Sequence, residues 1–142
     1  MKNIHTVAFR DIMDTALQQS AGHLVPIEAE HDIPFPIQRV YYIFGVDQHT
    51  RRGFHSHRLL EQMLICMHGS IKIDVKTPYE QQIISLDSPT KGLYIGPMIW
   101  REMFDFSPGA MLLVLASEYY DPADYIRDYS EYVRLAERYF ST

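Results

Sequence analysis

Residues 51–73, RRGFHSHRLLEQMLICMHGSIKI, contain two histidines two positions apart and a glutamate four residues after the second. Alternate side chains of a β-strand lie on one face, so His55 and His57 point the same way, and Glu61 joins them if the strand continues. If that face lines a barrel interior, two imidazoles meet in a partly dry cavity, where histidines are suited to moving protons. The alternative is that the pair lies on the exposed face of an edge strand.

Short segments rich in Val, Ile, Tyr and Phe recur on both sides of this stretch, separated by Gly, Pro, Asp or Ser. They occupy residues 22–30, 37–46, 60–76, 80–88, 91–106 and 110–120. This pattern is typical of antiparallel strands and predicts an all-β sandwich or barrel. Gly69-Ser70 separates an apolar run from an alternating one, which predicts a hairpin, and Gly96-Pro97 predicts a bend, an edge or a strand entrance.

The end of the chain has a different pattern. Asp121 followed by Pro122 resembles a helix start, because proline is favoured at the first helical position. Apolar residues then recur at helical spacing, and these are Tyr125, Tyr129, Tyr132, Val133 and Ala136. We therefore expect a short C-terminal helical region in residues 121–142.

Composition limits the function classes. The chain has 142 residues, 46% hydrophobic and 13% aromatic, which is typical of one folded domain covering residues 1–142. Its net charge of −5 argues against nucleic-acid binding, which needs a clustered basic excess. The single Cys66 lies in an apolar run and is expected to be a buried hydrophobe. With no signal-peptide pattern and no membrane-length apolar run, the cytoplasm is the expected location, without membrane partners.

The stretch GFHSHRLLEQMLICMHG resembles the first signature of the cupin superfamily, and GPMIWR resembles the second, with Arg101 where metal-binding cupins have their last histidine. A guanidinium is cationic and cannot ligate a metal, so no metal site is expected. A cation beside two histidines instead lowers their pKa values and favours an anion. The alternative for Arg101 is an ordinary salt bridge involving the neighbourhood of Glu102 or Asp105.

A more specific resemblance covers about Gly22 to Tyr132. RVYYIFGV, the histidine stretch, and LDSPTKGLYIGPMIWREMFDFSPGAMLLVLASEYYDPADYIRDYSEY, in this order, are similar to the nucleotide-sugar 3,4-ketoisomerases. The resemblance implies an all-β jelly-roll cupin barrel over about residues 22–120, like that of the dTDP-sugar 3,5-epimerases. It also implies conversion of dTDP-4-keto-6-deoxy-D-glucose to a dTDP-3-keto-6-deoxyhexose, with no cofactor.

The same resemblance implies roles for individual residues. His55 is expected to be the leading acid/base and His57 its partner, with the reverse order open. The expected substrate-binding residues are Arg39, Tyr42, Arg52, Glu61, Tyr94, Trp100 and Arg101. Arginines 39 and 52, with Arg51 as a further candidate, suit the diphosphate because guanidinium groups match phosphate oxygens. Arg51 or Arg52 could instead be a solvated surface residue, Trp100 a core aromatic, and Glu61 either a support for a histidine tautomer or a structural carboxylate.

Three other functions stay open from the sequence: a dTDP-sugar 3,5-epimerase, a sugar-sensing cupin without turnover, and a metal-dependent cupin enzyme. The gluco or galacto configuration of the product is also open. We expect a homodimer, because the aromatic-rich edges VYYIF and SEYYDPADY are compatible with pairing through the sheets.

Overall fold

The computed structural model describes residues 1–12 and 22–141, which form two five-stranded antiparallel sheets followed by a helix. The elements are β1 Ile4–Ala8, β2 Arg39–Phe44, β3 Arg52–His57, β4 Gln62–His68, β5 Ile71–Lys76, β6 Gln81–Leu86, β7 Lys91–Ile95, β8 Trp100–Phe104, β9 Met111–Ala116, β10 Tyr125–Ile126 and α1 Tyr129–Tyr139. The first sheet has the order β1-β7-β4-β9-β2, and the second has the order β10-β3-β8-β5-β6.

The all-β jelly-roll prediction is confirmed, with one correction to its shape. Among the described residues no strand pairs with members of both sheets, so the sheets face each other as an open sandwich and do not close into a barrel. The sheet region also extends beyond residues 22–120, because β1 lies before it and β10 lies after it.

Alternating side chains of both sheets meet in the main core. Leu64 and Cys66 of β4 pack there with Ile73 of β5 and Leu112 of β9, so Cys66 is the buried hydrophobe that the sequence predicted. The other face of β4 is also buried, against a second apolar cluster. Burial on both faces explains why this strand reads as a continuous apolar run.

The prediction of a strand at residues 22–30 is wrong. Apart from one isolated bridge between Ala29 and Ile33, the segment is irregular, and Pro26 lacks the N–H that a central strand needs. Its apolar residues Val25 and Ile27 pack instead on the second cluster, on the outer face of the first sheet.

The predicted hairpin at Gly69-Ser70 is also wrong. Strand β4 already pairs with β7 and β9, so the chain crosses there to the opposite sheet, where β5 pairs with β6 and β8. Gly96-Pro97 makes a second crossing, between β7 and β8, and the bend predicted there is confirmed.

The C-terminal helical region is confirmed, although α1 begins later than the sequence suggested. Asp121 caps a single 3₁₀ turn, Pro122–Asp124, and Asp128 caps α1 by accepting from the backbone N–H groups of residues 130 and 131. Tyr125 belongs to β10 and not to the helix. None of the described helices is long and apolar enough to cross a membrane, and location in the cytoplasm stays a prediction.

Candidate active site

A bulge in β3 brings two polar residues to the same cavity. Arg52 pairs with Met103 and His55 pairs with Arg101, with a register shift between them. The extra residue is Phe54, which has a φ of 58°. Because a bulge changes which side chains share a face, Arg52 and His55 both line one cavity although they lie three residues apart.

The cavity has two adjoining parts that share Arg39, Tyr120 and Tyr125. One part, with a volume of about 290 Å³, is lined by His57. The other, about 490 Å³, is lined by His55. These volumes suit a small-molecule site.

The two histidines meet in this cavity with unequal access. Their ring centroids lie 4.9 Å apart in an edge-to-face arrangement. Tyr125, from the tail, packs against both rings, with centroids 5.1 Å from His55 and 4.3 Å from His57. His57 is only 1% exposed, whereas His55 is half-buried. His55 is therefore the imidazole that faces the open space, with His57 behind it.

Burial and nearby arginines keep both imidazoles neutral. Burial first, and then the positive charges of Arg101 and Arg127, lower the pKa of His55 to about 3. The pKa of His57 is lowered as well, by burial and then by Arg101. Neutral imidazoles accept protons, so both rings are in the form required of a base at neutral pH.

Arg101 is a buried cation with an unfilled donor. It is 2% exposed, and burial lowers the pKa of its guanidinium to about 10. Its Nη1 donates to Gln62 Oε1 at 2.7 Å and its Nε to the Ile99 carbonyl at 3.2 Å, while Nη2 has no partner among the described residues. Within those residues it forms no ion pair, since Glu102 binds Arg51 and Asp105 binds Lys72. An anion beside His55 would complete its contacts.

Three further residues of the cavity were missed by sequence reasoning. Tyr41 and Tyr125 line it, and Gln62 links Tyr41 to Arg101 by donating to the Tyr41 hydroxyl at 3.1 Å. Tyr41 could have been found, because the alternation of RVYYIF puts it on the same face as Arg39.

Two more arginines border the cavity. The guanidinium of Arg39 lies 5.4 Å from the ring of Tyr41, and its buried Nε has no partner among the described residues. Arg127 lies over the ring of Tyr125 at 4.3 Å. With Arg52 they form a basic border suited to a diphosphate. Arg127 was also missed, because it comes from the tail.

The structure does not bring four of the expected residues to this cavity. Tyr42 is 62% exposed on the opposite face of β2, where it stacks on Phe44. Glu61 and Tyr94 also lie outside the cavity lining, where the Tyr94 hydroxyl donates to Glu61 at 2.6 Å; β3 ends at His57 and does not continue to Glu61. Trp100 packs beneath α1 as a core aromatic.

Arg51, the further phosphate candidate, is held by two carboxylates: it donates to Glu102 Oε1 at 2.6 Å and to Asp74 Oδ2 at 2.8 Å.

Among the described residues, no cluster of three or more His, Cys, Asp or Glu side chains could hold a metal ion. The cavity combines neutral imidazoles with nearby arginines, and three carboxylates, Glu118, Asp121 and Asp124, line the part beside His57.

Comparison with known proteins identifies the family. The family model described as FdtA: WxcM-like, C-terminal matches residues 2–137. The chain belongs to the FdtA family. A member from Aneurinibacillus thermoaerophilus, named TDP-4-oxo-6-deoxy-alpha-D-glucose-3,4-oxoisomerase, is 48% identical over 126 residues, which are 89% of this chain and 87% of the relative. The resemblance to the 3,4-ketoisomerases is thereby confirmed.

Solved structures are also similar to this chain, at two different levels. The sugar 3,4-ketoisomerase QdtA from Thermoanaerobacterium thermosaccharolyticum, in complex with TDP, is 54% identical with a TM-score of 0.93, covering 99% of this chain and 98% of that one. A variant of it in complex with TDP-4-keto-6-deoxyglucose is 53% identical with the same TM-score of 0.93, covering 100% and 99%. The 3'-monoepimerase ChmJ from Streptomyces bikiniensis, at 17% identity and a TM-score of 0.72, shares the fold alone.

Proposed function

We propose that this protein is a metal-independent sugar 3,4-ketoisomerase that converts dTDP-4-keto-6-deoxy-D-glucose to a dTDP-3-keto-6-deoxyhexose. The observation that carries the proposal is the placement of a neutral, half-buried His55 beside Arg101, whose Nη2 has no partner among the described residues. FdtA relatives that are named 3,4-ketoisomerases supply the substrate class.

The reaction moves a carbonyl between neighbouring carbons and needs only proton transfers. His55 removes the proton from C3, next to the C4 carbonyl, and the C3–H electron pair forms the double bond of an enediol. Arg101 stabilises the negative charge that develops on the C4 oxygen. His55 then returns the proton to C4, while the proton of the C3 hydroxyl passes to the C4 oxygen, so that C3 becomes the new carbonyl and C4 carries the hydroxyl. The sugar is both oxidised at C3 and reduced at C4, so the balance requires no external electron carrier.

The border of the cavity suits the rest of the substrate. Arg39, Arg52 and Arg127 offer guanidinium groups to the diphosphate. The hydroxyl of Tyr41 accepts from Gln62, so its own proton is free to hydrogen-bond an oxygen of the sugar. Tyr41 thus takes the position that the sequence suggested for Tyr42.

The test is to incubate the purified, chelator-treated protein with dTDP-4-keto-6-deoxy-D-glucose in deuterated water and follow the hexose by NMR. A new C3 carbonyl supports the proposal, and the coupling at C4 gives the gluco or galacto configuration. Deuterium at C3 and C5 with the carbonyl still at C4 would instead show an epimerase. Unchanged substrate, with binding detected, would favour the sugar-sensing alternative.

We expect kcat/KM to stay level as the pH falls from about 8 to about 5, because the pKa of His55 is lowered from 6.5 to about 3 and the base stays neutral throughout. The diphosphate diester also keeps its charge over this range. The measurement is a pH profile of initial rates. A fall centred near pH 6.5 would contradict the lowered pKa.

Acid unfolding is the control for this profile. A group with a lowered folded pKa contributes stability above its unfolded pKa and loses it progressively as the pH falls from the unfolded value to the folded value. The fold is therefore expected to weaken below about pH 6.5, and circular dichroism at each pH identifies the range in which the rates report on the folded protein.

A homodimer through the outer face of β2 is part of the proposal. Val40, Tyr42 and Phe44 project from this edge strand, and Tyr42 and Phe44 are 62% and 65% exposed. An edge strand with such an exposed apolar face is suited to pairing with a second copy.

We expect sedimentation at micromolar concentration to show a dimer that Tyr42→Glu converts to monomer. Ile83→Glu, on the edge strand β6 of the other sheet, is the matched control and should leave the dimer intact; a monomeric parent protein would refute the dimer.

A further inference from the structure

We propose that Asp124 is a positioning residue for His57, which it holds in the tautomer that carries its proton on Nδ1. The expected effect of Asp124 on kcat rests on the proposed function, whereas the tautomer of His57 does not. Asp124 Oδ2 lies 3.3 Å from His57 Nδ1, and both residues line the same part of the cavity. By distance and angle neither ring nitrogen of His57 has a hydrogen-bond partner among the described residues, so the approach of Asp124 is the contact that can set its tautomer.

The carboxylate of Asp124 is fixed in place by the backbone that follows His57. Its Oδ1 accepts from the N–H of Leu59 at 2.9 Å and its Oδ2 from the N–H of Leu60 at 3.3 Å. Its own carbonyl accepts from the N–H of Arg58 at 3.0 Å. A carboxylate with these partners cannot swing away without breaking the hydrogen bonds from the Leu59 and Leu60 N–H groups.

The position of His57 is fixed by the same strands. Its backbone pairs with Tyr125 in the β3–β10 ladder, and its carbonyl accepts from the N–H of Met98 at 2.8 Å. Since Asp124 immediately precedes Tyr125, this ladder sets the distance between carboxylate and imidazole. The arrangement does not depend on a mobile side chain.

The protonation states determine the tautomer. Burial and the charges of Arg101, Arg39 and Arg127 keep His57 neutral, so the ring has one N–H. An ionised carboxylate only accepts hydrogen bonds, so the nitrogen facing Asp124 carries the proton. Nε2 is then unprotonated and is the nitrogen of His57 that can accept a proton or a hydrogen bond.

The test uses Asp124→Asn. The amide oxygen of Asn can still accept from the Leu59 N–H, which leaves the NH₂ group facing His57 Nδ1 and removes the hydrogen bond from the Leu60 N–H. That group donates, so it favours the tautomer with the proton on Nε2. We expect ¹⁵N NMR of histidine-labelled protein to show Nδ1 protonated in the parent and Nε2 protonated in the variant. We also expect kcat to fall by about 10–100-fold with KM little changed, as is typical when a supporting residue is lost.

Asp128→Asn is the matched control. Asp128 also accepts from backbone N–H groups, at the start of α1, but makes no contact with a histidine. It should cost helix stability and leave both the tautomer and kcat unchanged. The proposal is overturned if the parent carries its His57 proton on Nε2, or if Asp124→Asn changes neither the tautomer nor kcat. Because the parent spectrum is read without turnover, failure of the ketoisomerase assay would be a separate result.

Discussion

Replacing His55 with Asn is expected to lower kcat by about 10²–10⁴-fold, the usual contribution of a positioned general base. The amide of Asn is close to an imidazole in size but cannot take the C3 proton at neutral pH. His55 pairs with Arg101 across the two strands and is the more open of the two imidazoles, so its loss removes the base that the substrate meets. The measurement is the initial rate of C3-carbonyl formation followed by NMR.

Binding and folding must be separated from chemistry in this experiment. Calorimetric titration with TDP should give similar affinity in the parent and in His55→Asn, since the arginines at the border are unchanged. His49→Asn is the matched control, because His49 is exposed and distant from this cavity, and it should retain full activity. If His55→Asn keeps the parent rate while His57→Asn does not, the order of the two histidines is the reverse of the one proposed.

The sequence could predict the histidine pair because alternation along one strand is a local property. It could not predict which residues surround that pair. Glu61 lies an even number of residues from both histidines, which would put it on their face of a continuous strand. The chain leaves the strand after His57, so this alternation does not extend to Glu61. Asp124 and Arg127 reach the site only because β10 pairs with β3, a contact between distant parts of the chain.

The same distinction applies to the fold. Most strands were predicted because runs of β-branched and aromatic residues between turn residues are local signals. The prediction of a hairpin at Gly69-Ser70 is wrong because the sheet that a strand joins depends on which other strands are still unpaired at their edges, and this is not a local property of the sequence. Strand β4 is central in its sheet, and this follows only from its pairing with β7 and β9.

Gly53→Ala is expected to destabilise the fold by about 3 kcal/mol, from a left-handed backbone and a backbone clash together. Gly53 has a φ of 98°, and a Cβ there would lie 2.8 Å from the Arg101 carbonyl oxygen and 3.1 Å from Glu102 Cα. Both are backbone atoms of β8, which cannot move without disturbing the strand that holds Arg101. The measurement is the free energy of unfolding in urea.

Gly45→Ala separates the two causes. Gly45 has a φ of 73° with nothing within 4 Å of an added Cβ, so it suffers only the backbone penalty, about 1 kcal/mol. Gly53→Ala should also lose activity, because relief of the clash must alter the bulge that turns both Arg52 and His55 into the cavity, whereas Gly45→Ala should keep it. Equal losses of stability in the two variants would show that β3 and β8 are not as close as the structure has them. In that case the bulge would no longer explain how residues three apart come to face one substrate.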